Sequence, residues 1–366
     1  EDFEKSVRES FGCKYALAVS SGSAALYCAM AAINAGPGDE VIMPGFGWFS
    51  DYCAVVNAGA LPVFADIDDS LNIDPYDFEK KITKKTKAVI VIHYQGGPAN
   101  MDEIMRIARA NKIIVVEDCA QAFGGEYRGR KLGTIGDIAI TSFQANKVIS
   151  CGEGGLLYTD NEEYFVRAVR YHDLGSVRPV FENQLKNKEL ADKKYSFAGL
   201  QFRMGELQGA FIGAQFKKLP KVLECCRKHH SRIKEYFKSN SHFSFRKTDE
   251  GDCGITLFMK FASRQEAEKF SECLAAEGIP IGPSSNCVNM VDEYPIKSTA
   301  QVHPSLPPFG KGYAGEDAVY ESKIVCPKTN NIYGSYVSIG IGPLYTDEDT
   351  NDIIKAIEKV CKALYD

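Results

Sequence analysis

Short apolar runs rich in β-branched residues alternate with longer stretches of helical spacing through the first half of the chain. The runs fall at 15–20, 40–43, 62–65, 88–93, 113–117, 138–143 and 155–159. Most are apolar at consecutive positions rather than at every second one, as expected of strands covered on both faces. Between them, segments such as 24–35, 50–58 and 101–110 carry apolar residues at the three- and four-residue spacing of helices. Strand and helix in alternation predict a mostly parallel sheet with helices on both sides. In such sheets ligands bind beyond the carboxyl ends of the strands.

The pattern changes after residue 160. A helical stretch reaches about residue 171, and a polar segment at 177–194, dense in Lys, Glu and Asn, reads as an exposed excursion. One long helical pattern from 204 to about 236 leads to a strand-like run at 255–260, a helix at 265–277 and a closing helix at 347–363. This predicts an α/β protein of two domains, a large one over 1–240 and a smaller C-terminal one over 241–366. A length of 366 residues agrees with two domains of roughly 100–200 residues each.

Composition narrows the function. Hydrophobic residues are 45% and charged residues 25%, and no unbroken apolar stretch approaches the roughly 20 residues of a membrane span. The net charge of −5 supplies no basic field for nucleic acid or anionic lipid, so the expected partner is a small molecule. The 12 cysteines follow no repeating spacing and include no Cys-x-x-Cys, and they read as free thiols of a reducing cytoplasm. The six histidines form no metal-ligand pattern, so no metal is expected. No signal-peptide pattern follows Glu1, and an upstream arm is either trimmed or not represented. The lysines at 80–87 read as a solvated surface.

Three strand ends carry candidate chemistry. After the first strand, Ser21-Gly22-Ser23-Ala24 turns into a helix of small residues. Free amides and the dipole of a helix start attract phosphate, and Ser23 adds a hydroxyl, although Ser is equally an ordinary cap. Glu117-Asp118-Cys119-Ala120-Gln121 puts an acid and an amide at another strand end. Asp118 there has three open roles: ligand to Mg²⁺, helix cap, or holder of a protonated ring nitrogen. Ser142-Phe143-Gln144-Ala145-Asn146-Lys147 leads into the glycine-rich 152–155. A lysine beside a phosphate site and an acid can form a Schiff base, and these are the parts of a pyridoxal phosphate enzyme.

In their order and context, Ser21-Gly22-Ser23-Ala24-Ala25-Leu26, Gly38-Asp39-Glu40-Val41-Ile42, the 117–122 segment, Ser142-Phe143-Gln144-x-x-Lys147 and Gly152-Glu153-Gly154-Gly155 resemble the DegT/StrS family of sugar aminotransferases. The resemblance implies the fold type I of pyridoxal 5'-phosphate-dependent transferases, as in aspartate aminotransferase. It also implies a homodimer with shared active sites, and amino transfer from glutamate or glutamine to a keto sugar or keto cyclitol. On this resemblance Lys147 is the lysine that holds the cofactor, Asp118 the partner of its pyridine nitrogen, and Gln121 the contact to its phenolic oxygen. Gly22, Ser23 and Ser142 are phosphate ligands, and Trp48, the only Trp, stacks on the ring.

Departures accompany the match. Gln201 stands where the family usually has an Asn reaching the phosphate from the other subunit, and Asn100 where Asp is common. Relatives that act as dehydratases carry His at the position of Lys147, which argues against that activity. Another reading is a pyridoxal phosphate-binding regulatory protein without turnover. Gly310-x-Gly312-x-x-Gly315 formally matches a dinucleotide fingerprint, but it follows a Pro-rich stretch rather than a strand. Gln144 resembles the cyclitol and aminohydroxybenzoate branches, and this one residue leaves open whether the acceptor is nucleotide-linked.

Overall fold

A computed structural model describes residues 1–248, 250–282, 289–313, 320 and 325–365. Helix α1 (Asp2–Phe11) precedes β1 (Tyr15–Val19) and α2 (Gly22–Ala32). β2 (Glu40–Pro44), α3 (Phe49–Asn57), β3 (Leu61–Ala65), α4 (Pro75–Lys81), β4 (Thr86–Ile92), α5 (Met101–Asn111) and β5 (Ile114–Asp118) follow. A short hairpin, β6 (Glu126–Tyr127) and β7 (Arg130–Lys131), leads to β8 (Ile138–Ser142), β9 (Gly155–Thr159) and α6 (Glu162–His172). All seven expected strands form one sheet, in the order β1-β9-β8-β5-β4-β2-β3. β9 runs antiparallel to both neighbours, and every other pairing in this sheet is parallel. β2, β3, β8 and β9 are buried along their whole length, which is why they read as continuous apolar runs.

The polar excursion is more ordered than its composition implies. It contains α7 (Pro179–Glu182) and two short 3-10 turns, and it is stapled from beneath by Arg170, which is only 2% exposed. The guanidinium donates to the carbonyls of Gly175, Leu190 and Asp192 and to the Ser196 hydroxyl. Five donors in a fixed fork let one buried side chain collect the polar backbone of this loop, while Leu185 and Phe181 anchor it to the core.

The expected single helix over 204–236 is two, α8 (Glu206–Phe216) and α9 (Leu219–Tyr236). Pro220 lies in the first turn of α9, where its missing N–H goes unused, and the same ring excludes a continuous helix. A second sheet combines β10 (Ser244–Phe245), β11 (Thr256–Lys260), β12 (Ile281–Gly282) and β13 (Tyr336–Gly340) in the order β10-β11-β13-β12, all antiparallel. Helices α10 (Arg264–Ala276) and α13 (Asp347–Tyr365) contribute Phe270, Leu274, Ile353 and Ile357 to its core. Cys226, Ile233 and Phe237, from α9 and its end, join the same core. Two short helices, α11 (Tyr294–Lys297) and α12 (Thr329–Gly334), and 3-10 turns at Tyr94–Gly96 and Met290–Asp292 complete the described elements. Gly310 lies in a turn, its N–H bonded to Leu306 O, and Gly315 falls outside the described residues.

A seam joins the two sheets at the turn after β4. Arg246, ion-paired with Asp252 at 2.9 Å, donates to the carbonyls of Tyr94 and Gln95. Thr256 Oγ1 donates to Gln95 Oε1 at 3.1 Å, and the Cys253 N–H to Gly96 O at 3.0 Å.

At the other end of the large sheet, β9 opens on Gly155, where a Cβ would stand 2.2 Å from the backbone oxygen of Ser21. We expect Gly155→Ala to cost about 1–3 kcal/mol, read as a lower urea midpoint at unchanged slope. An unchanged midpoint would show that this approach is relaxed.

Candidate active site

The start of α2 rests directly on the end of β8. A Cβ on Gly22 would meet Ser142 Cβ at 2.7 Å, so the helix start reaches Ser142 only because residue 22 has no side chain. Ser21 caps the helix, accepting from the Ala24 N–H at 3.0 Å. Among the described residues no bond is recorded for the Gly22 and Ser23 amides, and the Ser23 and Ser50 hydroxyls share a hydrogen bond of 2.8 Å. Two amides without an internal partner, nearby hydroxyls and the positive dipole end of α2 make this helix start suited to an anion.

β5 lies beside β8 and delivers Asp118 to the same edge of the sheet. Asp118 is buried, and its Oδ1 accepts from the Ala120 N–H at 2.7 Å. Its neighbour Glu117 is wholly buried and takes four donors: the N–H groups of Gly133, Ile135 and Gly136, and His93 Nε2 at 3.0 Å. His93 Nδ1 accepts from the Ala99 N–H, so the imidazole is held from both sides and its Nε2 is the donor. Burial alone would push the Glu117 carboxyl up, but His93 and the backbone amides bring it below the ordinary value. The ligand atoms of His93, Glu117 and Cys119 all lie within 4.8 Å of one another. The carboxylate and imidazole in that group are already filled by internal hydrogen bonds.

Lys147 sits on the loop between β8 and β9. That loop is closed by Phe143 N–H to Gly154 O at 2.8 Å and by Cys151 N–H to Phe143 O at 3.0 Å. The Lys147 side chain is half-buried, and among the described residues its Nζ has no ion-pair or hydrogen-bond partner. It is near enough for its charge to act on Asp118. Gln144, three residues before it, turns its side chain back to the Asn146 N–H at 2.9 Å.

Gln121 follows Asp118 in the turn after β5, and its Oε1 accepts from the Gln95 N–H at 3.0 Å. Trp48 caps the N-terminus of α3 and is 57% exposed, unusual for the largest apolar side chain. Gln201 is exposed on a strand-like bridge to Asp173, next to Phe202, whose carbonyl accepts from the Ser20 N–H. Gly22, Ser23, Ser142, Asp118, Lys147, Gln121 and Trp48 thus gather at the carboxyl ends of β1, β2, β5 and β8, whereas no recorded hydrogen bond joins Gln201 to them. Sequence reasoning missed Asp51. It lies one turn into α3, is wholly buried, and is close enough to Asp118 for the two carboxyls to bond to each other. Its position three residues after Trp48 was the only available signal.

The DegT/DnrJ/EryC1/StrS aminotransferase family matches residues 1–358. The chain belongs to this family. It is 30% identical over 99% of its length, and 89% of the relative's, to the spore coat polysaccharide biosynthesis protein SpsC of Bacillus subtilis. It is 31% identical to the L-glutamine:2-deoxy-scyllo-inosose aminotransferase of Streptomyces kanamyceticus, over 93% of this chain and 80% of that one. Among solved structures, an aminotransferase from Psychrobacter cryohalolentis superposes with a TM-score of 0.80 at 25% identity, covering 100% of this chain and 91% of that one. The expected fold type I is therefore the fold of this aminotransferase, and the enzyme depends on pyridoxal phosphate.

The residues at the sheet edge fit that cofactor. The start of α2 offers amides with no internal partner beside the Ser142 hydroxyl, Asp118 is a buried acid, and Lys147 is an uncommitted amine. When bound, pyridoxal phosphate supplies a cationic ring that takes up the electrons of a C–H bond broken beside a substrate nitrogen.

Glu117 contributes stability above the ordinary Glu range, and that contribution is lost as pH falls through its lowered folded value. We expect Glu117→Gln to lower thermal stability near neutral pH and the gap to wild type to narrow on acidification. A gap that widens toward low pH would contradict the lowered value.

Proposed function

We propose that the enzyme moves an amino group from glutamate or glutamine to the ketone of a cyclitol or sugar, using Lys147 and Asp118 as its catalytic pair. One observation carries this reading. An anion cradle, a buried acid and an uncommitted lysine meet at neighbouring strand ends of a chain that belongs to an aminotransferase family.

In this reading the Gly22 and Ser23 amides and the Ser142 hydroxyl hold the phosphate. Asp118 keeps a proton on the ring nitrogen, because an opposite charge within about 4–6 Å favours the charged form. Gln121 offers its amide N–H₂ to the phenolic oxygen, since its Oε1 is committed to Gln95. Trp48 covers one face of the ring. Lys147 Nζ would hold the cofactor at rest and, once freed by the amino donor, would as a neutral amine take the proton from the donor's α-carbon and hand it to the cofactor carbon that Nζ had occupied. The same amine runs the transfer in reverse on the keto acceptor. Gln144 beside the lysine and the named substrate of the Streptomyces relative support a keto cyclitol, and the name of SpsC supports a polysaccharide sugar. A nucleotide-linked acceptor belongs to the same proposal.

The active form is proposed to be a homodimer in which Gln201 reaches the phosphate of the other subunit. Helix α8 supports this: of its apolar residues only Ile212 is buried, while Leu207 is 86% and Phe211 54% exposed. A helix apolar all round needs cover, and a second copy placing its own α8 there supplies it. The division at 240/241 is retained, with α9 spanning from one core to the other. Residence in the cytoplasm is part of the same proposal.

Two results test the reading. Borohydride reduction should add the mass of the cofactor to the intact wild-type chain and nothing to Lys147→Ala, and the variant should have no measurable turnover. A mass gain in the variant would move the attachment to another lysine. The doubly substituted Leu207→Asp, Phe211→Asp chain should run as a monomer in light scattering, and a dimer of that variant would place the interface elsewhere.

A further inference from the structure

Asp51 is an acid in the first turn of a helix, where carboxylates are common and ordinarily solvated. This one faces inward and is 0% exposed. Neither of its oxygens receives a hydrogen bond from any N–H or O–H among the described residues. Its own backbone N–H, bonded to Trp48 O at 3.3 Å, is the one amide that also favours its charged form, and that effect is outweighed by burial and by Asp118. A bare carboxylate in that position neutralises rather than staying charged. Among the described residues the side chain that faces it is the carboxyl of Asp118, and two carboxyls bond only when one of them carries a proton.

The proton belongs to Asp51 on the asymmetry of the surroundings. Asp118 has the Ala120 N–H on Oδ1 and feels His93 on the end of β4, both of which favour its ionised form. Among the described residues Asp51 has Asp118, its own backbone N–H and the charge of Lys147, with Tyr52 and Cys53 as titratable neighbours on its own helix. Glu117 and Cys119 flank Asp118 in sequence, but Glu117 is filled by the loop at 133–136 and by His93. Burial first, and the charge of Asp118 second, push Asp51 well above the ordinary carboxyl value.

We propose that Asp51 is a protonated acid that donates its hydrogen to Asp118, so that the pair carries a single negative charge on Asp118. Asp51 is then a positioning residue. Its hydrogen bond offsets part of the penalty that burial places on ionised Asp118, and leaves that charge free to face outward. This consequence rests on the reading above, in which Asp118 partners the ring nitrogen. The proton itself does not depend on that reading.

The test is infrared spectroscopy of the full-length protein near neutral pH, with pyridoxal phosphate bound and after its removal. Wild type should show a protonated-carboxyl C=O stretch that moves on ¹³C labelling of aspartate and is absent from Asp51→Asn. In Asp118→Asn the same stretch should persist at a shifted frequency, because its acceptor has changed from a carboxylate to an amide. No labelled acid band in wild type, or one that survives Asp51→Asn unchanged, would overturn the proposal. A band found in a protein that does not bind pyridoxal phosphate would support the proton and overturn the proposed function instead. In turnover, Asp51→Asn keeps a donor and should stay within about threefold of wild type, whereas Asp51→Ala should lose about tenfold or more. The acid limb of the pH profile should move to higher pH in Asp51→Ala only. Equal behaviour of the two variants would overturn the positioning role.

Discussion

The site depends on one buried carboxylate whose oxygens are committed to internal donors. Glu117 lies on β5 immediately before Asp118, and its two oxygens gather three backbone N–H groups and an imidazole from a loop and a neighbouring strand end. Each of those donors would otherwise be buried without a partner, so the carboxylate and the loop hold one another in place. The alternation of a strand then forces the next side chain to the opposite face, where Asp118 must point. Asp118 is thus aimed by the residue before it, and that residue is rigid because it is fully bonded.

The phosphate end is built on the opposite principle, the absence of side chains. Gly22 lets the start of α2 touch Ser142, and Gly155 lets β9 pass under Ser21. Two strand ends and a helix start are compressed into a space that a single methyl would break. Polar saturation at β5 and close backbone approach at β1 and β8 fix the distance between an acid and an anion cradle.

Much of this was legible before any coordinates. The seven strands of the large sheet stand out because nearly all are buried on both faces, and buried strands need apolar residues at every position. The positions of Gly22, Asp118 and Lys147 at or just after strand ends were legible because the strands that precede them stand out as apolar runs. The two-residue strands β10 and β12 are too short to carry a period, and β13 was passed over because its small and polar residues dilute the apolar signal. The break between α8 and α9 was written in Pro220, yet the apolar spacing runs straight across it. Arg170 and Asp51 were hidden for a shared reason: each is a charged residue type in a helix, and only packing reveals that it faces inward.

The seam between the sheets gives the Gln95 turn a mechanical meaning. Thr256, on the second sheet, grips the Gln95 side chain, and the Gln95 backbone N–H grips Gln121 beside Asp118. Gln95 itself sits at φ 46, a left-handed kink that leaves the link little slack. Two hydrogen bonds therefore tie a strand of the smaller sheet to the amide that follows Asp118, so any displacement of one sheet is transmitted to a side chain on the other.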